Sequence, residues 1–221
     1  MFPPASFDPD CQRCPRLAGF LQQVRHDYPA YHAKPVASFG DADCQLLIVG
    51  LAPGLHGANA SGRPFTGDHA GILLYQTLYD FGFSSGPVSR SKEDGLRLRN
   101  CRISNAVKCV PPRNKPDITE IRNCNGYLQA ELNNLPSGAV ILALGTIAHN
   151  AVLRAMHRKL SQYRFGHGAV FTLERERRLV DSYHCSRYNT QTRRLTPAMF
   201  HQVFQQVVEL LAHDAPVSTT I

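Results

Sequence analysis

The sequence predicts a three-layer α/β/α fold with a mostly parallel central sheet, and three observations predict it. Two short runs, residues 45–50 (QLLIVG) and 139–145 (AVILALG), are apolar almost throughout and end in glycine, as strands buried on both faces do. Segments with helical spacing follow them. Strand-like and helix-like stretches then alternate along the chain with no internal repeat, no low-complexity block and no long linker.

Residues 45–50 form the first strand. Residues 70–81 place Leu73, Leu74, Thr77, Leu78 and Phe81 at helical spacing, with Asp68 positioned as an N-cap. Residues 102–107 are a further strand candidate. After a Pro-rich turn, residues 117–132 open with Asp117-Ile-Thr-Glu120, whose acids suit the first turn of a helix. The strand at 139–145 runs directly into a helix over 146–160, residues 178–183 are strand-like, and residues 197–211 make a last amphipathic helix. Parallel sheets of this kind bind ligands at the carboxyl ends of their strands. Function is therefore expected just after Gly50, near Asn105, and in the loop that starts near Tyr183.

With 221 residues, 43% hydrophobic and 19% charged, the chain is a folding sequence rather than a disordered one. At this size about 70% of the unfolded surface is buried on folding, enough for one large core, so residues 1–221 are read as a single domain. No apolar run approaches the roughly 20 residues that span a bilayer. The opening MFPPASFDPDCQRCPR has neither the basic start nor the apolar stretch of a signal peptide, so a cytoplasmic location without membrane attachment is expected. The formal net charge of +7, carried mostly by arginine, favours a polyanionic partner, since the guanidinium fork matches phosphate geometry.

Seven cysteines, an odd number, argue for metal ligation or buried thiols over a disulfide framework. Cys11 and Cys14 form a C-x-x-C. Cys109 and Cys124 form a second pair with fourteen residues between them, and Cys44, Cys101 and Cys185 fit no pattern. Two separated pairs suit either a zinc site or an iron–sulfur cluster, and spacing alone leaves both open.

Residues 50–68 (GLAPGLHGANASGRPFTGD) hold five glycines and two prolines in nineteen positions, a long shaped loop whose backbone N–H groups can approach a ligand. The loop lacks the Gly-Lys-Ser/Thr ending of a phosphate-binding NTPase loop and the spacing of a dinucleotide fingerprint, which demotes both classes. Asn59-Ala60-Ser61 matches a glycosylation sequon, which the absence of a secretion signal makes irrelevant. His184-Cys-Ser-Arg-Tyr-Asn189 follows the 178–183 strand and is rich in donors, with Arg187 suited to phosphate.

Together these segments resemble the uracil-DNA glycosylase superfamily, specifically its iron–sulfur branches, families four and five. The resemblance rests on Gly50-Leu-Ala-Pro-Gly with Gly62-Arg-Pro-Phe-Thr-Gly, on Asn105-Ala-Val-Lys-Cys109, on His184-Cys-Ser, and on cysteines in the order C-x-x-C, long gap, C-x₁₄-C. Family four carries a glutamate where this chain has Leu51, so family five is the better match. The resemblance implies a glycosylase-like α/β fold and a 4Fe–4S cluster on Cys11, Cys14, Cys109 and Cys124. It further implies a monomer acting on DNA that contains uracil, or other deaminated bases such as hypoxanthine, as the first step of base excision repair. Two departures stand out: Cys185 replaces a proline, which could loosen the loop entering the duplex, and Ala60-Ser61 replaces Arg-Thr, removing one phosphate contact.

An N-glycosidic bond breaks toward a sugar cation and a base anion, so donors aimed at the base oxygens matter more than a strong nucleophile. His184 and the loop amides at Gly50 and Ala52 are expected to supply donors. Phe65 is expected to stack on the extruded base and Asn105 to pair with its Watson–Crick edge. Ser186, Arg187 and Asn189 are assigned to the DNA backbone. Asn59 is expected to orient water, and Asp68 is read as a helix cap before a general base. Two other readings remain: a non-catalytic nucleic-acid-binding module on a Cys₄ zinc site, and a small-molecule nucleoside hydrolase.

Overall fold

The computed structural model describes residues 6–213, so the first five and last eight residues of the expected 1–221 span lie outside the described residues. A six-stranded sheet has the order β1-β3-β2-β4-β6-β5. Its strands are β1 (Phe39–Gly40), β2 (Leu46–Gly50), β3 (Cys101–Asn105), β4 (Val140–Leu144), β5 (Val170–Thr172) and β6 (Arg178–Ser182). The four central strands are parallel, while β1 and β5 pair antiparallel at the two edges. The helices longer than five residues are α1 (Pro15–Asp27), α3 (His69–Asp80), α4 (Ile118–Asn134), α5 (Thr146–Ala155) and α7 (Pro197–His213); α2 (Ala58–Ser61) and α6 (Arg187–Gln191) are single turns.

Side-chain alternation in the strands explains the layers. On β2, Leu47 and Val49 join one apolar cluster with Leu17 and Leu21 of α1, Leu128 and Leu132 of α4, and Val152 of α5. Leu46 and Ile48 face the other side, against Leu74 and Leu78 of α3 and Phe200 and Phe204 of α7. Both faces of β2 and β4 are thus covered, which is why those two strands read as unbroken apolar runs, whereas β3 and β6 carry polar residues.

The expected strands and helices are all present, with shifted ends. The strand candidate at 102–107 begins at Cys101 and stops at Asn105. Beyond it Ala106 and Val107 donate to the carbonyls of Gly50 and Leu51, carrying the chain past the end of β2. Asp117 and Glu120 form a reciprocal capping box at the start of α4. The helix expected over 146–160 ends at Ala155, where His157 enters the left-handed region at φ 55°. Asp68 occupies the N-cap position of α3 without making a side-chain cap; its carboxylate accepts instead from the Ala58 N–H at 3.0 Å. Beyond the expected elements lie α1, whose buried Leu17, Leu21 and Val24 follow helical spacing, and the two edge strands, which span only two and three residues.

Candidate active site

The parallel register sets Gly50 beside Asn105 at the carboxyl ends of β2 and β3. A cavity of about 470 Å³ opens there, lined by Ala52, Phe65, Asp68, Asn105, His184 and Arg187, together with loop backbone from both sides. The segments after Gly50, at Asn105 and after Tyr183 therefore meet as the strand-end rule requires.

Asn105 is 3% exposed, and its Oδ1 is buried with no hydrogen-bond partner. A buried amide oxygen normally finds a donor, so this one is poised for something that enters the cavity. Gly50 lies beneath it: a Cβ there would stand 2.4 Å from the Asn105 Oδ1 and 2.7 Å from the Phe65 ring. Gly50 does not itself line the cavity; by lacking a side chain it leaves the space that Asn105 and Phe65 occupy. Phe65 is held at φ 56°, a strained conformation for an aromatic residue. Gly71 makes that possible, because a Cβ at Gly71 would come 1.8 Å from the Phe65 carbonyl oxygen.

His184 lies across from Phe65, the rings near-parallel with centroids 5.9 Å apart. Its imidazole makes no hydrogen bond within the described residues, and burial lowers its pKa to about 4, so it is neutral at physiological pH. One ring nitrogen is therefore a donor and the other an acceptor. Asn189, expected on the DNA backbone, turns inward and donates to the His184 carbonyl at 2.7 Å. Ser186 caps α6 by accepting from the Asn189 N–H while also lining the cavity. Arg187 is exposed at the rim. Cys185 is fully buried in the α3–α7 apolar cluster, with its thiol pKa pushed up to about 12 by burial, so it faces the core rather than the duplex. Ser61 is likewise an internal brace, its hydroxyl donating to the Thr66 carbonyl at 3.1 Å.

Asn59 does not line the cavity. It is fully buried within the loop, with its Nδ2 donating to the Leu55 carbonyl at 3.3 Å. The cavity's carboxylate is Asp68, which sits in a space kept open by glycine: a Cβ at Gly54 or Gly57 would lie 2.2 or 2.0 Å from its Oδ1. Burial raises the Asp68 pKa, partly offset by the Ala58 N–H. The signal was present in the sequence as two glycines upstream of an aspartate, but it reads as helix capping until the loop is folded back.

On the α4 side of the sheet, Cys11, Cys14, Cys109 and Cys124 line one small cavity. All seven cysteines are free thiols. Among the described residues, no group of three or more His, Cys, Asp or Glu side chains is arranged for a metal ion. A single zinc needs its sulfurs about 2.3 Å from one point, whereas a cubane cluster presents a separate iron to each thiolate. The Lys108 N–H donates to the Cys124 Sγ at 3.2 Å and the Asn123 Nδ2 to the Cys14 Sγ at 3.6 Å, donors that suit sulfur carrying negative charge. Burial raises Cys109 well above an ordinary thiol and Cys124 to about 11, so both need a cation to ionise. The donor set fits a cluster.

The family model described as uracil DNA glycosylase superfamily matches residues 37–208. The chain is 44% identical over 205 residues to a Type-5 uracil-DNA glycosylase of Thermus thermophilus, covering 90% of this chain and 93% of that protein. It is 37% identical over 201 residues to a Type-5 uracil-DNA glycosylase of Pyrobaculum aerophilum, covering 89% and 87%. A Type-4 uracil-DNA glycosylase of the same organism is 34% identical over 130 residues, 58% of each chain.

Proposed function

Because this chain belongs to the uracil DNA glycosylase superfamily, we propose that it excises uracil from DNA by hydrolysing the N-glycosidic bond, and that it accepts hypoxanthine as well. The observation that carries this reading is the buried, unpartnered Oδ1 of Asn105 at the floor of the strand-end cavity. A uracil edge offers an N–H beside a carbonyl oxygen, the complement of an amide's acceptor and donor. Phe65 supplies the stacking face, and neutral His184 donates to the base oxygen that gains charge as the bond breaks. Asp68 takes the water-activating role in place of Asn59. It is the carboxylate in the cavity, and its raised pKa makes it a stronger proton acceptor than an ordinary carboxylate. A site volume of about 470 Å³, within the roughly 300–1,000 Å³ range of small-molecule pockets, leaves room for a two-ring base.

Cys11, Cys14, Cys109 and Cys124 would hold a 4Fe–4S cluster. Bound there, it would supply thiolate–iron cross-links between the N-terminal segment, the turn after β3 and α4, with no electron transfer required by the hydrolysis. The decisive measurement is incubation with a duplex bearing one deoxyuridine, and separately one deoxyinosine, followed by alkaline scission. Cleavage at the uracil that Asn105→Ala reduces by more than tenfold is expected. Intact uracil duplex sinks the reading, and cleavage at uracil alone removes hypoxanthine.

A further inference from the structure

The turn between Cys109 and α4 is unlike the other loops of the strand-end face. Arg113 and Asn114 both lie at φ 55°, two consecutive non-glycine residues in the left-handed region. Each such residue carries a conformational cost and persists only where its surroundings over-determine it. Within the turn the Asn114 and Lys115 N–H groups donate to the Pro111 and Pro112 carbonyls, and its far end is held by Arg16 of α1, two residues beyond Cys14. Its Nη2 donates to the Lys115 carbonyl at 3.2 Å, while its Nε and Nη2 grip the Glu120 carboxylate at 2.8 and 2.6 Å. Glu120 in turn accepts from the Asp117 N–H at 2.7 Å, closing the loop. The held tip is exposed, and within the described residues the Arg113 guanidinium and Lys115 ammonium make no ion pair or hydrogen bond. Asn114, between them, lines the strand-end cavity on the rim shared with Arg187.

We propose that Arg113-Asn114-Lys115 is a backbone clamp that grips the strand on either side of the extruded nucleotide. The two cations take the flanking phosphates, and the Asn114 amide takes the sugar–phosphate at the cavity mouth. Arg16 is the positioning residue that sets its shape. This rests on the glycosylase reading given above. The cation–amide–cation order at an exposed rim matches alternating phosphate and sugar, whereas the base edge is already met deeper in the cavity by Asn105. Phosphate contacts of this kind supply affinity and salt dependence without sequence preference. Placing the clamp after Cys109 and holding it from beyond Cys14 also couples both cysteine pairs to DNA affinity.

The test is affinity for duplex DNA carrying a non-hydrolysable abasic analogue, measured as a function of salt. That ligand has the sugar–phosphate but no base. Arg113→Ala with Lys115→Ala should lower the slope of log affinity against log salt by about 2, one per phosphate contact. Asn114→Ala should weaken binding to the analogue several-fold. Arg16→Gln should reproduce the affinity loss without lowering iron content, and Arg16→Lys should rescue it only in part because it lacks the fork. Arg99→Ala, which removes an exposed cation at the opposite ends of the strands, should leave the slope unchanged. Parental cleavage of uracil duplex with unaltered affinity and slope in the tip variants overturns the clamp alone. A parental chain that neither cleaves nor binds overturns both.

Discussion

Asp68 carries opposite consequences for catalysis and stability. Its folded-state pKa is raised by burial above the ordinary carboxylate value, so the folded chain holds that proton more tightly than the unfolded chain does. Its contribution to stability is therefore fully present below the unfolded pKa and is lost as pH rises through the raised value. At neutral pH the ionised carboxylate destabilises the fold. Asp68→Asn should raise the melting temperature at pH 7, with the difference shrinking as pH falls below the ordinary carboxylate range, while lowering the single-turnover rate by roughly 10²–10⁴. The parental rate should climb with pH through the raised Asp68 pKa, and that limb should vanish in the variant; an unchanged pH profile would remove Asp68 from the chemistry. His184, with a pKa near 4, should add no titration above pH 5. His184→Ala should cost ~10²–10³ in single-turnover rate with a smaller change in DNA affinity. Arg187→Ala should show the reverse pattern, lowering the salt slope by about 1. Full single-turnover rate in His184→Ala with weakened binding would exchange the two roles.

At the scale of elements, the join between the Gly-rich loop and α3 decides whether the cavity has a wall. Phe65 keeps its left-handed backbone because Gly71, in the first turn of α3, leaves space for its carbonyl oxygen. Gly71→Ala should displace the Phe65 ring and lower uracil cleavage about as much as Phe65→Ala, which forfeits roughly 1–3 kcal/mol of base stacking. Normal cleavage in Gly71→Ala would show that the ring's position is immaterial. The strands β2 and β4 were legible because burial on both faces removes polar residues from them, α3 because of its apolar spacing, and α4 because the acids of its capping box survive in the sequence. The edge strands were not, because two or three paired residues leave no periodic signal; α1 does carry one, in Leu17, Leu21 and Val24 at helical spacing after Pro15. The strand-end positions of Asn105 and His184 followed from the strand pattern, whereas Phe65 lies in the long loop after β2 and lines the same cavity. The inward turns of Asn59, Asn189 and Cys185 did not, because they depend on how each loop folds back on itself.

For the whole molecule, residues 11–14 and 109–124 are distant in sequence and meet on one face of the sheet, so anything that bonds all four thiols ties the N-terminal segment to the domain's centre. Purified anaerobically, the protein should contain iron, and Cys109→Ser should lose it together with thermal stability; iron-free parental protein would dismiss the cluster. The sheet's borders have a different consequence. An outermost strand of two residues on one side and three on the other, both running against their neighbours, leaves almost no free backbone ladder for a second molecule to extend. Many copies held at high concentration should therefore stay separately dispersed instead of zipping edge to edge into fibrils.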